Sequence, residues 1–446
     1  MRSGKSFLGL LIVATALGAY IYFVEMTRDP AADSASTREK VFTLTPGSIE
    51  SVNLTNASGE TTTVVRQEAV WNITAPEAAE ADTVEISTVV SSIESLEQTR
   101  VVTETPESLA PFGLDPARIS VAFTVAGEST PRRLKLGNKT PTGGDLYAQV
   151  EGSPKVFLIG GYLEDTFNKG PFALREKSVL KFSRDGADAL TITQGTSRLS
   201  LAKSGNTWRL SVPIDAAADF NTVDGLIGRI FQARMAGFVA ADGTASLREY
   251  GLDRPQAIVT VGSGSSRAEL AIGSAQDDTN VYARDLSRSM IFTIEKALLD
   301  ELRKKPEDVR LKDLFNFRSF TATAFEITTG GTKYTFTKTK GEGDNADVWT
   351  LTAPTTKAAD AAKMTDLLTT SSNLRAASFA AAAFASGDTV TIAATFDDAG
   401  TAKTETVTFR KSGAVVHGIR TGEPGAAVVS TTDFDRVLSL LKEIAG

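Results

Sequence analysis

A chain of 446 residues has room for about three domains at roughly 100–200 residues each, and its 41% hydrophobic and 23% charged residues are ordinary globular usage, which excludes wholesale disorder and collagen-like structure. Lys and Arg number 47 against 54 Asp and Glu, a net charge of -7, so no overall basic field draws the chain to nucleic acid. The absence of Cys excludes disulfides, thiolate metal sites, iron–sulfur clusters and Cys nucleophiles, and a single His excludes a His-rich metal centre and weakens most acid–base schemes.

At the N-terminus, Arg2 and Lys5 precede an uncharged, mostly apolar run over residues 7–24, closed by Glu25, Arg28 and Asp29. As a helix this run would rise about 27 Å, close to the hydrocarbon thickness of a bilayer. Residues 1–28 therefore read as a short cytoplasmic stub and a transmembrane anchor. The expected location is the bacterial inner membrane, single-pass, with the N-terminus cytoplasmic and the bulk of the chain periplasmic or extracytoplasmic. The competing reading is a cleaved signal peptide, since Ala14-Thr15-Ala16 has small residues at suitable spacing, although it leaves an apolar region of only about seven residues. Residues 29–40 are small and polar and read as a linker.

The three Trp fall in one pattern: Trp71-Asn-Ile-Thr-Ala-Pro76, Trp208-Arg-Leu-Ser-Val-Pro213 and Trp349-Thr-Leu-Thr-Ala-Pro354, at separations 208 − 71 = 137 and 349 − 208 = 141. A second motif, Phe112-Gly113-Leu114-Asp115-Pro116, recurs as Tyr250-Gly251-Leu252-Asp253-Arg254-Pro255. A third marks the junctions, where Arg175-Glu-Lys177 matches Arg310-Leu-Lys312. The sequence thus reads as three tandem repeats, 41–179, 180–315 and 316–446. The third is degenerate: Phe384-Ala-Ser-Gly-Asp388 stands where the Gly-Leu-Asp element is expected.

Each repeat opens with alternating residues of strand character, as at Ile49, Val52 and Leu54. A helix follows the Pro. Its apolar positions are Ile86, Val89, Val90, Ile93 and Leu96 in the first repeat, Val223, Leu226, Ile227, Ile230 and Phe231 in the second, and Met364, Leu367, Leu368 and Leu374 in the third. Further strands and a closing helix, clearest at Phe434, Val437, Leu438 and Leu441, complete the unit. The fold class read from this pattern is α+β, an N-terminal transmembrane helix followed by three antiparallel-sheet units with packed helices.

The recurring residues read as structural. A Trp at a strand end followed by Pro is a core position, and in Gly-Leu-Asp-x-Pro the Gly supplies an unusual φ, the Asp accepts from nearby amides and the Pro fixes a turn. His417 follows Tyr282 by 135 residues, as Tyr282 follows Tyr147, and so stands in for an aromatic on a strand. Asp344-Asn345-Ala346-Asp347 lacks the later Glu and the spacing of a calcium loop, and Gly262-Ser-Gly264 lacks the Lys of a phosphate loop. Glu77, Glu80 and Asp82 read as a solvated helix start, and the Ala-rich stretch 376–385 as a packed part of the third repeat. No catalytic, cofactor or metal residue is assigned.

The order of these motifs, with Leu-x-[Leu/Ile]-Gly strands ending at Gly137 and Gly273 and Tyr strands at Tyr147 and Tyr282, resembles the bacterial family catalogued as domain of unknown function 4340. The resemblance covers residues 41 to about 315, and the third repeat only loosely. It implies an envelope protein often encoded beside ABC transporter components of the gliding-motility auxiliary type, and it brings no catalytic residues. The function expected is a non-enzymatic, membrane-tethered scaffold or interaction protein, an accessory of an ABC transport system, with a transporter permease as integral membrane partner and no nucleic acid. The alternative is an envelope polymer- or solute-binding protein, or a hydrolase with a carboxylate site between units.

Overall fold

A computed structural model describes residues 39–240, 246–341 and 347–446. They fall into two compact units, one ending at Lys177 and one running from Ser178 to Gly446.

In the first unit, strands β1 (Ile49–Thr55), β2 (Thr61–Gln67), β3 (Val70–Ala75), β4 (Ala79–Glu80), β5 (Arg100–Thr103), β6 (Ile119–Val125), β7 (Arg132–Lys139), β8 (Asp145–Val150) and β9 (Val156–Gly160) form one sheet in the order β4-β3-β2-β1-β6-β7-β8-β9-β5. Every pairing is antiparallel. Alternation explains its one-sided core: Val52 and Leu54 of β1 point inward while Ser51 and Asn53 are half-buried on the other face. Helix α1 (Thr83–Glu94) puts Ile86, Val89 and Ile93 into the same core, and two short helices, α2 (Leu163–Phe167) and α3 (Pro171–Leu174), close the unit.

The second compact unit holds two further sheets of the same order. One comprises β10 (Ala189–Gln194), β11 (Ser197–Ser204), β12 (Thr207–Val212), β13 (Ala216–Ala218), β14 (Gly237–Ala240), β15 (Ala257–Ser263), β16 (Ser266–Ala275), β17 (Asn280–Asp285) and β18 (Ile291–Glu295), with helices α4 (Phe220–Gln232), α5 (Lys296–Glu301) and α6 (Pro306–Val309). The other comprises β19 (Ala322–Thr329), β20 (Thr332–Thr339), β21 (Val348–Ala353), β22 (Lys357–Ala358), β23 (Ala376–Ala380), β24 (Asp388–Asp398), β25 (Thr401–Ser412), β26 (Val415–Arg420) and β27 (Ala426–Val429), with helices α7 (Ala361–Ser372) and α8 (Thr431–Ala445). Helices α1, α4 and α7 each start at an Asp placed 11 residues after the Trp, namely Asp82, Asp219 and Asp360, whose side chain accepts a first-turn amide. That satisfies donors the helix itself leaves unpaired. The tandem repeat is therefore present as three sheets of one topology.

Two expectations are corrected. The α+β class gives way to a mostly β protein, 45% strand and 19% helix, because in the first two repeats the closing helix shrinks to pieces of four to six residues around Pro171 and Pro306. Small strands missing from the sequence reading, such as β4 and β5, raise each sheet to nine. The transmembrane helix and the single-pass inner-membrane location are also corrected. No helix among the described residues is long and apolar enough to cross a membrane, and the run over residues 7–24 lies outside the described residues.

Candidate functional site

The repeated motif residues build the sheets and do not converge on a site. Trp71, Trp208 and Trp349 are 8%, 3% and 7% exposed. Each sits under a cation from the neighbouring strand, with Arg66, Lys203 and Lys338 at 5.8, 5.9 and 5.8 Å from the ring centroids. Pro76, Pro213 and Pro354 directly follow strands β3, β12 and β21, each after a cis peptide bond, as does Pro116, whereas Pro255 is not preceded by one. Gly113 and Gly251 have φ of +68° and +66°, as the motif requires. Asp115 and Asp253 are exposed, and among the described residues neither accepts a hydrogen bond. The turn amides of Leu114 and Leu252 donate instead to the carbonyls of Leu109 and Leu247, at 3.2 and 2.8 Å.

The aromatic substitution read at His417 has a clear structural counterpart. Phe112 packs on Tyr147 with centroids 5.1 Å apart, Tyr250 on Tyr282 at 4.8 Å, and Phe384 stacks on His417 at 3.9 Å. The degenerate element thus keeps the contact after losing its Gly-Leu-Asp. His417 is buried, and among the described residues its Nδ1 has no hydrogen-bond partner. Asp344, Asn345 and Ala346 lie outside the described residues. Asp347 accepts the Gly341 amide at 3.1 Å, which holds its carboxyl below the usual carboxylate range, helped by Lys338. Among the described residues no group of three acidic or His side chains is placed to hold a metal ion.

The feature with the shape of a binding site lies within the second compact unit, where the second repeat passes into the third. β23 ends its sheet and pairs with β27; at its start the Ala376 amide also donates to the Lys312 carbonyl at 2.8 Å, and from Ala377 onward no further strand pairs with its outer edge among the described residues. Beside it a groove of about 390 Å³ is lined by Ala377–Ala381, Ile214, Arg310, Lys312 and the Pro306–Asp308 turn of α6. A smaller cavity of about 30 Å³ adjoins it, lined in part by Ala217, Arg310, Phe379 and Glu423.

Arg310 is central to both. It is 8% exposed, its guanidinium lies 3.7 Å from the Phe379 ring centroid, and one Nη2–H donates to the Pro424 carbonyl at 2.9 Å. Burial pushes its pKa down, partly offset by the charge of Glu423. Glu423 accepts the Ala217 amide at 2.8 Å and an Arg209 Nη1–H at 3.4 Å. Arg209 also donates to Asp215 at 2.8 Å, a hydrogen bond that raises its pKa above the ordinary value, with Glu423 adding to the effect. The turn between β26 and β27 is thereby tied to β12 and β13 of the preceding repeat.

Sequence reading missed this groove. Arg310 and Lys312 were visible as a junction motif, but Ala376–Ala385 carries no polar signal: Ala376, Phe379 and Phe384 pack as read, while Ala377 and Ser378 on the edge strand are exposed.

No curated protein matches the chain. Among solved structures, the DNA polymerase sliding clamp from Pseudomonas aeruginosa, in a crystal structure with ligand, is 9% identical over 88% of this chain and 93% of that one, with a TM-score of 0.16. At that score the likeness carries no argument about fold. The family described as "Domain of unknown function (DUF4340)" matches twice, over residues 71–214 and 208–394. Both matches begin at a Trp of the repeat, and the second runs on into the third sheet. Covering most of the sequence between them, they show that the chain belongs to the DUF4340 family.

Proposed function

We propose that this protein is a non-enzymatic interaction scaffold, and that the groove beside β23 takes an extended segment of a protein partner as an added strand. The observation that carries the reading is the outer edge of β23 beyond Ala376, beside a groove of about 390 Å³. An unpaired strand edge offers backbone donors and acceptors in register for one more strand, and adjacent pockets then select side chains. The opposite edges, β4, β13 and β22, are only two or three residues long and offer little ladder to extend. The repeated residues serve folding, which leaves the edges and loops for recognition.

The test is a selection of displayed random peptides on the purified chain, followed by affinity measurement on the variant Ala377→Trp. Ala377 is exposed, so the larger side chain fills the groove without entering the core. Enriched peptides should bind at least tenfold more weakly to the variant, with the unfolding transition unchanged. Equal affinities would refute the groove as the site. Turnover of a substrate abolished by one carboxylate substitution in a stably folded variant would refute the scaffold reading altogether.

A further inference from the structure

Arg310 has a counterpart in the first repeat. Arg175 bridges Ala81 as Arg310 bridges Ala218, and the same flanking bonds occur in both places: the Asp82 amide donates to Leu174 and the Asp219 amide to Val309, each at 2.8 Å. Both arginines are 8% exposed. They differ in their acidic partner. Arg175 has a carboxylate from its own repeat, with Nη2 3.8 Å from Oε2 of Glu77. Glu77 directly follows Pro76, and the residue directly following Pro213 is Ile214. Ile214 lines the groove, and among the described residues Arg310 forms no ion pair.

Burial strips water from Arg310, and the nearby charge of Glu423 offsets this only in part, with no carboxylate hydrogen-bonded to the guanidinium among the described residues. The carbonyl of Pro424 and the face of Phe379 engage part of it, and its remaining donors have the fork geometry that matches a carboxylate. We propose that the groove selects an acidic side chain, and that an Asp or Glu of the bound segment occupies at Arg310 the place Glu77 holds at Arg175. Lys312 adds positive charge to the lining, while Glu307 and Asp308 on α6 also line the groove and disfavour a segment carrying acids throughout. The ligand class is therefore an extended peptide with one acidic residue flanked by uncharged ones. This inference rests on the strand-addition reading above and specifies its chemistry.

Two synthetic probes separate the two claims: acetyl-Thr-Val-Glu-Val-Thr-amide and its Gln counterpart, both blocked at the termini and rich in residues that favour extended backbone. Titrated against the full chain, the Glu peptide should bind at least tenfold more tightly than the Gln peptide. In Ile214→Glu, which places the missing carboxylate within the protein and removes no existing group from Arg310, the ratio should fall to near one. In Arg310→Lys, which keeps the charge and loses the fork, it should be intermediate. Equal binding of both peptides to the wild-type chain would overturn the acidic selection and leave strand addition standing. Failure of both at millimolar concentration would overturn both. A tenfold ratio that survives Ile214→Glu would place the carboxylate somewhere other than Arg310, and so also overturn the assignment.

Discussion

Trp208→Ala should lower the stability of the second compact unit by about 3–5 kcal/mol, read as a shift of the urea midpoint at unchanged slope. Trp208 is 3% exposed and lies on β12 between β11 and β13, opposite Lys203 and Ala218. Truncation removes the ring's burial and leaves a cavity walled by strands hydrogen-bonded on both sides, which limits collapse around it. The Lys203 ammonium, 5.9 Å from the ring, also loses its aromatic face. The substitution leaves β23 and Arg310 in place, so peptide binding should survive wherever the unit remains folded. An unchanged midpoint would remove Trp208 from the core.

Gly273→Ala should be the next most damaging small change. A Cβ at Gly273 would lie 2.1 Å from the Tyr250 carbonyl oxygen, far inside contact distance, and that oxygen already accepts the Ser274 amide at 2.8 Å. The chain there must move, which costs about 1–3 kcal/mol for overpacking, and about 1 kcal/mol more if the hydrogen bond is lost. The Tyr250 ring on Tyr282 moves with it. The control is Gly225→Ala, an exposed site within α4 with open space around its Cβ, which should instead stabilise by about 1 kcal/mol. Equal outcomes at the two glycines would show that the approach of Tyr250 to Gly273 does not constrain the fold. The same reasoning applies at Gly137, whose Cβ would meet the Phe112 carbonyl at 2.0 Å.

These two sites show what was legible in the residues and why. A Trp at strand spacing, a helix-capping Asp 11 positions later and a Gly needing positive φ are each dictated by local geometry, so they repeat wherever the geometry repeats. The aromatic partner of His417 was legible for the same reason, because position 417 keeps the register of Tyr147 and Tyr282. The balance of helix and strand was not. The closing segment of the third repeat carries an apolar stripe through α8, but the corresponding stretches of the first two are broken near Pro171 and Pro306. β4, β13 and β22 are too short to show a period.

The groove lay further out of reach because it belongs to no single repeat. Its walls come from Ile214 after β12 and Arg310 at the end of the second and from the alanines of β23 in the third, so no local pattern marks it. One signal was present, the change from Glu77 to Ile214 at matched positions after the proline. It acquires meaning only when Arg175 and Arg310 are seen in the same structural place.

Strand addition at β23 is tested most directly by amide hydrogen exchange across the second compact unit, with and without a peptide selected on the full chain. Over Ala377–Ala380, the amides not already bonded to β27 should slow at least tenfold on binding, while those of β22 at the opposite edge of the same sheet keep their rates. Protection at β22 or on the helices, with β23 unchanged, would contradict it.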